Sequence, residues 1–213
     1  MSAPVSPARF ISFEGGEGAG KSTQAKRLAA ALESHGLSVC LTREPGGSAG
    51  AEQIRALLVE GEPGRWDVSS ETLLMFAARV DHLARTIRPA LAAGRWVVCD
   101  RFTDSTYAYQ GAGRGLDAKT IAALDNLATC GFMPDLTFIL DVPVKTGLSR
   151  AGGRHGEESR FEQFDKSFHG RLRDFFHALA AREPARCILI DSTAPVEDVS
   201  AQIWHVVSTR FGL

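Results

Sequence analysis

This chain of 213 residues has almost no excess charge, few cysteines and no long apolar run, and each shortage argues against a class of protein or a kind of site. The formal net charge is −1, so the chain lacks the basic surplus with which general nucleic-acid and membrane-surface binders hold phosphates. No apolar stretch is long enough to span a bilayer. We therefore expect no nucleic-acid partner and no membrane partner, although a local basic site is compatible with this composition.

The four cysteines are scattered, and Cys40, Cys99 and Cys187 lie in apolar runs typical of strands, whereas Cys130 does not. Reduced thiols in the core are expected, rather than disulfides or metal ligands. The opening segment MSAPVSPAR has neither the basic start nor the apolar middle of a secretion signal. The chain is accordingly predicted to be cytoplasmic, with residues 1–8 as a disordered tail.

Five short runs are rich in Val, Ile, Leu and Phe, and their unbroken apolarity is typical of strands covered on both faces. Helical patterns separate them, and this alternation predicts an α/β fold. We expect a five-stranded parallel sheet, doubly wound, with helices on both faces and right-handed crossovers. The runs are RFISFEG from Arg9, LSVCLTR from Leu37, RWVVCDR from Arg95, LTFILDV from Leu136 and RCILIDS from Arg186.

Apolar residues at helical spacing mark six segments, and the total length suits one domain over residues 9–213. Pro89 is expected to end or kink the third and longest segment before Gly94. Residues 149–162, SRAGGRHGEESRFE, have glycines and charges without an apolar period, which predicts a mobile flap at about residues 150–161. The helical segments are Ala25 to Leu32, Ile54 to Leu58, Ser70 to Ile87, Ile121 to Ala128, Phe164 to Leu179 and Val196 to Val207.

Residues 13–23, FEGGEGAGKST, carry the strongest chemical signal. Gly15, Gly20, Lys21 and Ser22 satisfy the pattern GxxxxGK[ST], with a predicted strand before it and a predicted helix after it. In such a loop the backbone N–H groups point at phosphate oxygens, the lysine bridges the outer phosphates, and the hydroxyl holds Mg²⁺. An ordinary glycine-rich turn is the alternative. We expect this loop to bind a nucleoside triphosphate.

The third strand ends in CDRF, which puts Asp100 and Arg101 at the carboxyl edge of the predicted sheet. Ligands of open α/β folds bind at this edge. A carboxylate there can hold Mg²⁺, and a guanidinium can grip a phosphate with its fork of donors. A surface ion pair is the alternative, but the phosphate loop nearby favours the functional interpretation.

Six segments, including the two just described, lie along the chain in one order: FEGGEGAGKST, TREPGG, LLMFAARVDHL, DRFTDSTYAYQG, MPDL and SRFE. In this set and order, over nearly the whole chain after Pro7, the sequence resembles the thymidylate kinases. The resemblance implies a P-loop kinase fold, a homodimer, and phosphoryl transfer from ATP, with Mg²⁺, to dTMP. The product would be dTDP, for dTTP biosynthesis.

The resemblance also implies which residues hold the thymine nucleotide. Phe76 matches an aromatic residue that stacks on thymine, and Arg79 matches an arginine at the base edge. Thr106, with Ser105 beside it, matches a polar position facing the base, and Tyr109 matches a tyrosine that crowds the sugar. Periodicity alone favours Phe76 as a core aromatic, and Ser105 has capping or packing of a helix as its alternative.

Gln110 is a weaker candidate for the same base, with helix packing as the alternative. Glu14, ahead of the glycine loop, matches an acidic residue that faces the acceptor sugar or its phosphate clamp, and it is expected to be catalytic. Its alternative is a solvated carboxylate at the end of a strand. Glu44 and Pro45 resemble a turn that lines the monophosphate site, and Arg55 is expected to reach the acceptor phosphate, unless it is only a solvated helix charge.

On the donor side, the resemblance assigns the whole glycine loop to ATP, and Ser22 with Asp100 to Mg²⁺. Asp191 and Ser192 correspond to a loop on the adenine side. Lys21 and Arg101 are the expected catalytic cations. The glycine-loop residues are Gly15, Gly16, Glu17, Gly18, Ala19, Gly20, Lys21, Ser22 and Thr23.

Some thymidylate kinases carry an arginine inside the phosphate loop, where this chain has Gly18. The positive charge must then come from elsewhere, and the flap supplies Arg150, Arg154 and Arg160, which resembles the bacterial subgroup with flap arginines. We expect Arg150 to bind ATP, and Arg154 and Arg160 to be catalytic, because such a cation stabilises the charge of the transferring phosphoryl group. A solvated charged loop is the alternative.

Two other functions remain open from the sequence. The nearest is a kinase of another nucleoside monophosphate or of a deoxynucleoside. A nucleotide-dependent switch is the second, but such proteins generally carry a guanine-reading NKxD motif, which this sequence lacks.

Overall fold

One parallel sheet forms the centre of the molecule. The computed structural model describes residues 7–152 and 160–213. All five predicted strands form, and they lie in the order β2-β3-β1-β4-β5. The predicted sheet is therefore confirmed. The strands are β1 Phe10–Glu14, β2 Val39–Arg43, β3 Trp96–Asp100, β4 Leu136–Asp141 and β5 Cys187–Asp191.

Helical segments fill the crossovers between the strands and follow the last one. Two of them, π1 and π2, are π-helical. In chain order the segments are α1 Lys21–Ser34, α2 Ala49–Val59, α3 Val68–His82, π1 Leu83–Ile87, α4 Arg88–Ala92, α5 Thr103–Thr106, π2 Tyr107–Gly113, α6 Ala118–Thr129, α7 Val144–Gly152, α8 Lys166–Arg182 and α9 Val196–Phe211.

Helices cover both faces of the sheet because successive strand residues point to opposite sides. On one face, Ile11 and Phe13 of β1 pack with α1 and α9, which contribute Leu28 and Ile203. On the other face, Phe10 packs with π1 and α4, while α8 covers β4 and β5 through a second cluster. The unbroken apolarity of the strands is explained by this double coverage.

Short side chains set where several helices begin. Ser48, Asp67 and Asp117 each accept a backbone N–H of the first turn that follows, at α2, α3 and α6. Asp165 does the same for α8, accepting from the N–H of Phe168 at 2.7 Å. For this reason α8 begins one residue after Asp165, and not at Phe164 as the apolar spacing indicated.

Of the two outcomes expected at Pro89, an end of the third helical segment or a kink in it, the first is wrong. Pro89 does not end the helix, because the path continues to Ala92 and stops before Gly94. The π-helical turn Leu83–Ile87 comes directly before α4, and Pro89 lies at its start. The π-helical turn shifts the hydrogen-bond register directly ahead of Pro89, which accommodates a residue without an N–H inside the continuous helical path.

The four cysteines are free thiols, as expected, but their predicted place in the core is only half right. Cys99 and Cys187 are buried, Cys40 is partly exposed, and Cys130 is exposed where it ends α6 in a left-handed conformation. Within residues 7–152 and 160–213, no helix is long and apolar enough to cross a membrane. The predicted tail and flap lie largely outside the described residues.

The sheet brings two functional segments together at its carboxyl edge. β1 and β3 are neighbours, and Phe13 is in register with Asp100. The N–H of Arg101 donates to the carbonyl oxygen of Phe13 at 2.9 Å. The glycine loop after β1 and the Asp100–Arg101 pair after β3 therefore lie side by side, where parallel sheets bind ligands.

Candidate active site

The glycine loop folds tightly around its own lysine. Lys21, the first residue of α1, donates from Nζ to the carbonyl oxygen of Gly16 at 2.6 Å. Burial, and then the positive charge of Arg101, lower the pKa of Lys21 to about 8. Gly15 has φ 128°, and a Cβ there would lie 2.3 Å from the carbonyl oxygen of Leu140. Only glycine lets the loop pass this close to β4.

Gly18 explains why this loop carries no arginine. Its φ is 66°, and an added Cβ would lie 1.9 Å from the carbonyl oxygen of Gly147 in α7. In turn, a Cβ on Gly147 would lie 2.5 Å from the carbonyl oxygen of Glu17. The phosphate loop and α7 thus meet through two glycines, and no side chain fits between them.

Ser22 and Asp100 face each other across the floor of an open cavity. The Ser22 hydroxyl donates to Asp100 Oδ2. Both residues line a cavity of about 270 Å³, together with Gly20, Lys21 and Thr23. A hydroxyl beside one carboxylate is a donor set that suits Mg²⁺, which is usually held by one or two carboxylates and by substrate phosphates. Within the described ranges, no cluster of three His, Cys, Asp or Glu side chains forms a fuller metal site.

Arg101 stands between the glycine loop and π2 in a left-handed conformation, φ 71°. Its Nη2 lies 2.9 Å from Glu17 Oε1, and its Nη1 donates to the carbonyl oxygen of Gly15 at 3.1 Å. The guanidinium carbon lies 4.8 Å from the centroid of the Tyr109 ring, whose hydroxyl donates to the same oxygen of Glu17 at 2.6 Å. Arg101 is therefore oriented from three sides.

Charge pairing dominates the electrostatics of Glu17 and Arg101. Burial by itself would raise the pKa of Glu17, but Arg101 and Lys21 outweigh it and lower that pKa to about 2. Burial would lower the pKa of Arg101, yet Tyr109 and Glu17 raise it above its usual range. Both groups are therefore charged at neutral pH.

A second cavity, of about 120 Å³, lies beside the first. Its walls come from the turn after β2, from α2 and α3, and from α5 and π2. Glu17, Glu44, Arg55 and Arg101 line both cavities, so the two adjoin. Arg55 donates from Nη1 to the carbonyl oxygen of Pro45 at 2.8 Å.

Arg79, in the wall of the second cavity, is held by several hydrogen bonds. Its Nε donates to Glu44 Oε2 at 2.7 Å, and both terminal nitrogens lie 3.1 Å from Thr106 Oγ1. Glu44 is fixed in turn by His82, whose Nδ1 lies 3.0 Å from its other carboxylate oxygen. Because a buried charge is costly unless it is paired, this network fixes the guanidinium in one place.

All but one of the acceptor-side candidates line this cavity, namely Glu44, Pro45, Arg55, Arg79, Arg101, Ser105, Thr106, Tyr109 and Gln110. Phe76 does not. Its ring is buried under Arg79, whose guanidinium carbon lies 5.0 Å from the ring centroid. The neighbouring Met75 lines the cavity instead. Helical periodicity signals this, because Phe76 continues the buried stripe and Met75 lies one position round the helix.

Glu14 lies beneath the site and lines neither cavity. It is fully buried, and it accepts hydrogen bonds from the Phe102 N–H at 2.8 Å and from the Ser105 hydroxyl at 2.5 Å. Burial and the nearby Asp104 raise the pKa of Glu14 to about 8. The solvated alternative is excluded by this burial, and the carboxyl group braces the turn after β3.

The candidate donor-side and flap residues are only partly brought together. Ser192 donates from Oγ to the carbonyl oxygen of Ala19 at 2.6 Å, and its own carbonyl oxygen accepts from Arg150 Nη1 at 2.9 Å. Asp191 is exposed and accepts from the N–H and the hydroxyl of Thr193. Ser192 and Arg150 are thus linked to the glycine loop, whereas Asp191 only shapes its own turn.

Arg160 has a different place from the one expected. It is fully buried, donates from Nη1 to the carbonyl oxygen of Leu58 at 2.9 Å, and forms an ion pair with Glu71. Its guanidinium is therefore committed to α2 and α3 and is not directed at the glycine loop. Arg154 lies outside the described residues.

Comparison with known proteins agrees with this geometry. The thymidylate kinase family model matches residues 13–203. The chain belongs to the thymidylate kinase family. It is 55% identical over 204 residues to the thymidylate kinase of Caulobacter vibrioides, covering 96% of this chain and 98% of that protein.

Two further relatives in the thymidylate kinase family support the same conclusion. The thymidylate kinase of Rhizorhabdus wittichii is 52% identical over 198 residues, covering 92% of this chain and 95% of that protein. The crystal structure of thymidylate kinase from Ehrlichia chaffeensis superposes with a TM-score of 0.77 at 35% identity, covering 94% of this chain and 98% of the other. The predicted P-loop kinase fold is confirmed by that likeness.

The contact between Gly18 and Gly147 yields a prediction. Gly18→Ala should raise the KM for ATP at least about tenfold and destabilise the chain by about 1–3 kcal/mol, because the added methyl meets backbone and the residue keeps φ above zero. Steady-state kinetics and urea unfolding measure the two effects. Gly16→Ala is the matched control, since a Cβ there meets no atom within 4 Å. Equal losses in the two variants would contradict the packing argument.

Proposed function

We propose that the chain transfers the terminal phosphoryl group of ATP directly to the phosphate of dTMP, with the donor in the 270 Å³ cavity and the acceptor in the 120 Å³ cavity. Phosphorylation of dTMP to dTDP, with ATP as the phosphate donor, is the activity of the family to which the chain belongs. The observation that carries the proposed mechanism is the shared wall of Glu17, Glu44, Arg55 and Arg101 between the cavities.

On the donor side, the N–H groups of the glycine loop and the positive end of α1 bind the ATP phosphates. Lys21 adds its charge at the outer phosphates. Ser22 and Asp100 would hold Mg²⁺, which supplies positive charge between the phosphates when bound. Ser192 and Arg150 support the loop from the adenine side, as their bonds to Ala19 and to each other favour.

On the acceptor side, the base of dTMP lies against Arg79, Thr106 and Gln110, and the sugar lies against Tyr109. The 5′-phosphate then faces Arg55 and Arg101, the two cations that both cavities share. Binding both nucleotides across this wall makes the transfer effectively unimolecular, which is the main gain available in a reaction without a covalent enzyme intermediate.

Charge on the transferring group is stabilised by Lys21 and Arg101 in this proposal. A cation placed in advance at developing negative charge contributes several orders of magnitude in rate. The flap contribution rests on Arg154, and it stays a prediction because that residue lies outside the described ranges. The pairing of Arg160 with Glu71 favours a structural role for Arg160.

A comparison of phosphate acceptors tests the assignment. With ATP and Mg²⁺, we expect kcat/KM for ADP release to be higher with dTMP than with dUMP, dCMP, dGMP or thymidine as the acceptor. Lys21→Ala should lower kcat with dTMP by about 10²–10⁴-fold without unfolding the chain, since this residue acts on phosphate charge. A preference for another acceptor would assign a different kinase. Tight ATP binding with no acceptor-dependent ADP release would favour the nucleotide-dependent switch.

The burial of Phe76 and the cavity position of Met75 make a second prediction. Met75→Ala should raise the KM for dTMP about tenfold, because about 1.5 kcal/mol of apolar contact with the base is lost. Phe76→Leu should lower the free energy of unfolding by about 1–3 kcal/mol and leave that KM nearly unchanged. Kinetics and urea unfolding of both variants separate the roles. The reverse pattern would restore Phe76 as the stacking residue.

We also propose a homodimer that buries the outer faces of α2, α3 and α6. These helices pack side by side and expose Leu57, Leu73, Val80 and Leu127, of which Leu127 is 78% exposed. Neighbouring exposed apolar side chains mark an interaction surface. Sedimentation equilibrium should give a dimer, and Leu127→Asp should shift it towards monomer, because the interface would bury an unpaired charge. A wild-type monomer at micromolar concentration would refute the dimer.

The proposed location is cytoplasmic, where free thiols such as those of Cys40 and Cys130 stay reduced. The proposed partners are dTMP, Mg-ATP and a second copy of the chain. The reaction requires no nucleic acid and no membrane.

A further inference from the structure

Glu71 is a fully buried carboxylate that the proposed reaction does not use. It lies in the first turn of α3 and lines neither cavity. Its Oε2 pairs with Arg160 and lies 2.9 Å from Nη1 of Arg114, so two guanidinium groups balance its charge. Its other oxygen, Oε1, accepts from Nε2 of Gln110 at 2.8 Å.

The bond from Gln110 to Glu71 decides which way the glutamine amide faces. A carboxylate paired with guanidinium groups only accepts hydrogen bonds, so only the NH₂ end of the amide can face it. The carbonyl oxygen of Gln110 is then the end left for the cavity that this side chain lines. Reversing the amide would set two acceptors against each other in a buried place, which is costly.

A donor group lies in the same cavity. Arg79 lines the cavity and is fixed by its bonds to Glu44 and Thr106. A guanidinium only donates, so the cavity combines the acceptor of Gln110 with the donors of Arg79. A pyrimidine-2,4-dione such as thymine presents N3–H as a donor and the C4 carbonyl as an acceptor. Cytosine presents the reverse pattern at both atoms.

We infer that Glu71 determines base specificity at a distance, by holding the carbonyl oxygen of Gln110 towards N3–H of the acceptor base. Glu71 is thus a positioning residue, and this inference rests on the proposed function because it requires dTMP in the cavity. Its partner Arg160 lies near the end of the predicted flap, at about residues 150–161, so the same carboxylate also anchors that part of the chain.

The experiment compares kcat/KM for dTMP with kcat/KM for dCMP in the wild-type chain and in Glu71→Gln. A glutamine at 71 can offer either end to Gln110, so the amide of Gln110 becomes free to reverse. The ratio of dTMP to dCMP should fall about tenfold or more, since one buried hydrogen bond contributes about that factor. Glu71→Asp, which keeps the charge but withdraws it from Gln110, should lower the ratio in the same direction.

Arg114→Met is the matched control. It removes another partner of Glu71 and the bond from Arg114 Nη2 to the carbonyl oxygen of Trp66, but it leaves Gln110 bonded to Glu71. We expect it to be less stable in urea, with an unchanged ratio. If Glu71→Gln and Glu71→Asp lower both activities equally, Glu71 is only structural and the inference is wrong. A wild-type chain that does not phosphorylate dTMP would overturn the proposed function first.

Discussion

The ion pair of Arg101 and Glu17, both partly exposed, is the interaction on which the rest of the site depends. Two polyanionic nucleotides can approach each other only if positive charge lies between them, and Arg101 lines both cavities. When no nucleotide is bound, an unpaired guanidinium in this position would lower the stability of the folded chain. Glu17 offsets that cost from within the glycine loop, and Tyr109 orients both partners. The carboxylate therefore keeps the cation in place before substrates bind.

Two further Arg–Glu ion pairs lie around the acceptor cavity. Arg79 is paired with Glu44, and Arg160 is paired with Glu71. Such buried pairs contribute little net stability, because the cost of desolvation offsets most of the attraction. Their value here is geometric, since each carboxylate restricts its arginine to one direction. Two of the three Arg–Glu pairs, Arg101–Glu17 and Arg79–Glu44, line the acceptor cavity, and Arg160–Glu71 lies behind it.

Close backbone packing complements these charges on the donor side. Gly18 and Gly147 allow the glycine loop and α7 to touch, and Ser192 closes the loop from the end of β5. Since α7 contains Arg150, Ala151 and Gly152, the first residues of the predicted flap, their position is linked to the shape of the phosphate loop. This contact accounts for the absence of an arginine from the phosphate loop, because a side chain at position 18 would push α7 away.

The strands and the glycine loop could be predicted from the sequence because their signals are local, whereas most cavity residues were predicted only from the resemblance to the thymidylate kinases. Apolar runs, the spacing of Gly15, Gly20, Lys21 and Ser22, and the segment that begins with Asp100 depend on neighbouring residues only. Periodicity indicated that Phe76 belongs to the core, but the rotation of α3 against its neighbours decided that Met75 faces the cavity. The partner of Arg160 likewise depends on where that arginine meets α3, and Glu14 is buried by segments that fold over it. The sequence by itself determined the fold and the chemistry of the glycine loop. Only tertiary packing decided which carboxylate pairs with each arginine, because ion pairs between distant segments form only when the whole sheet and its helices are assembled.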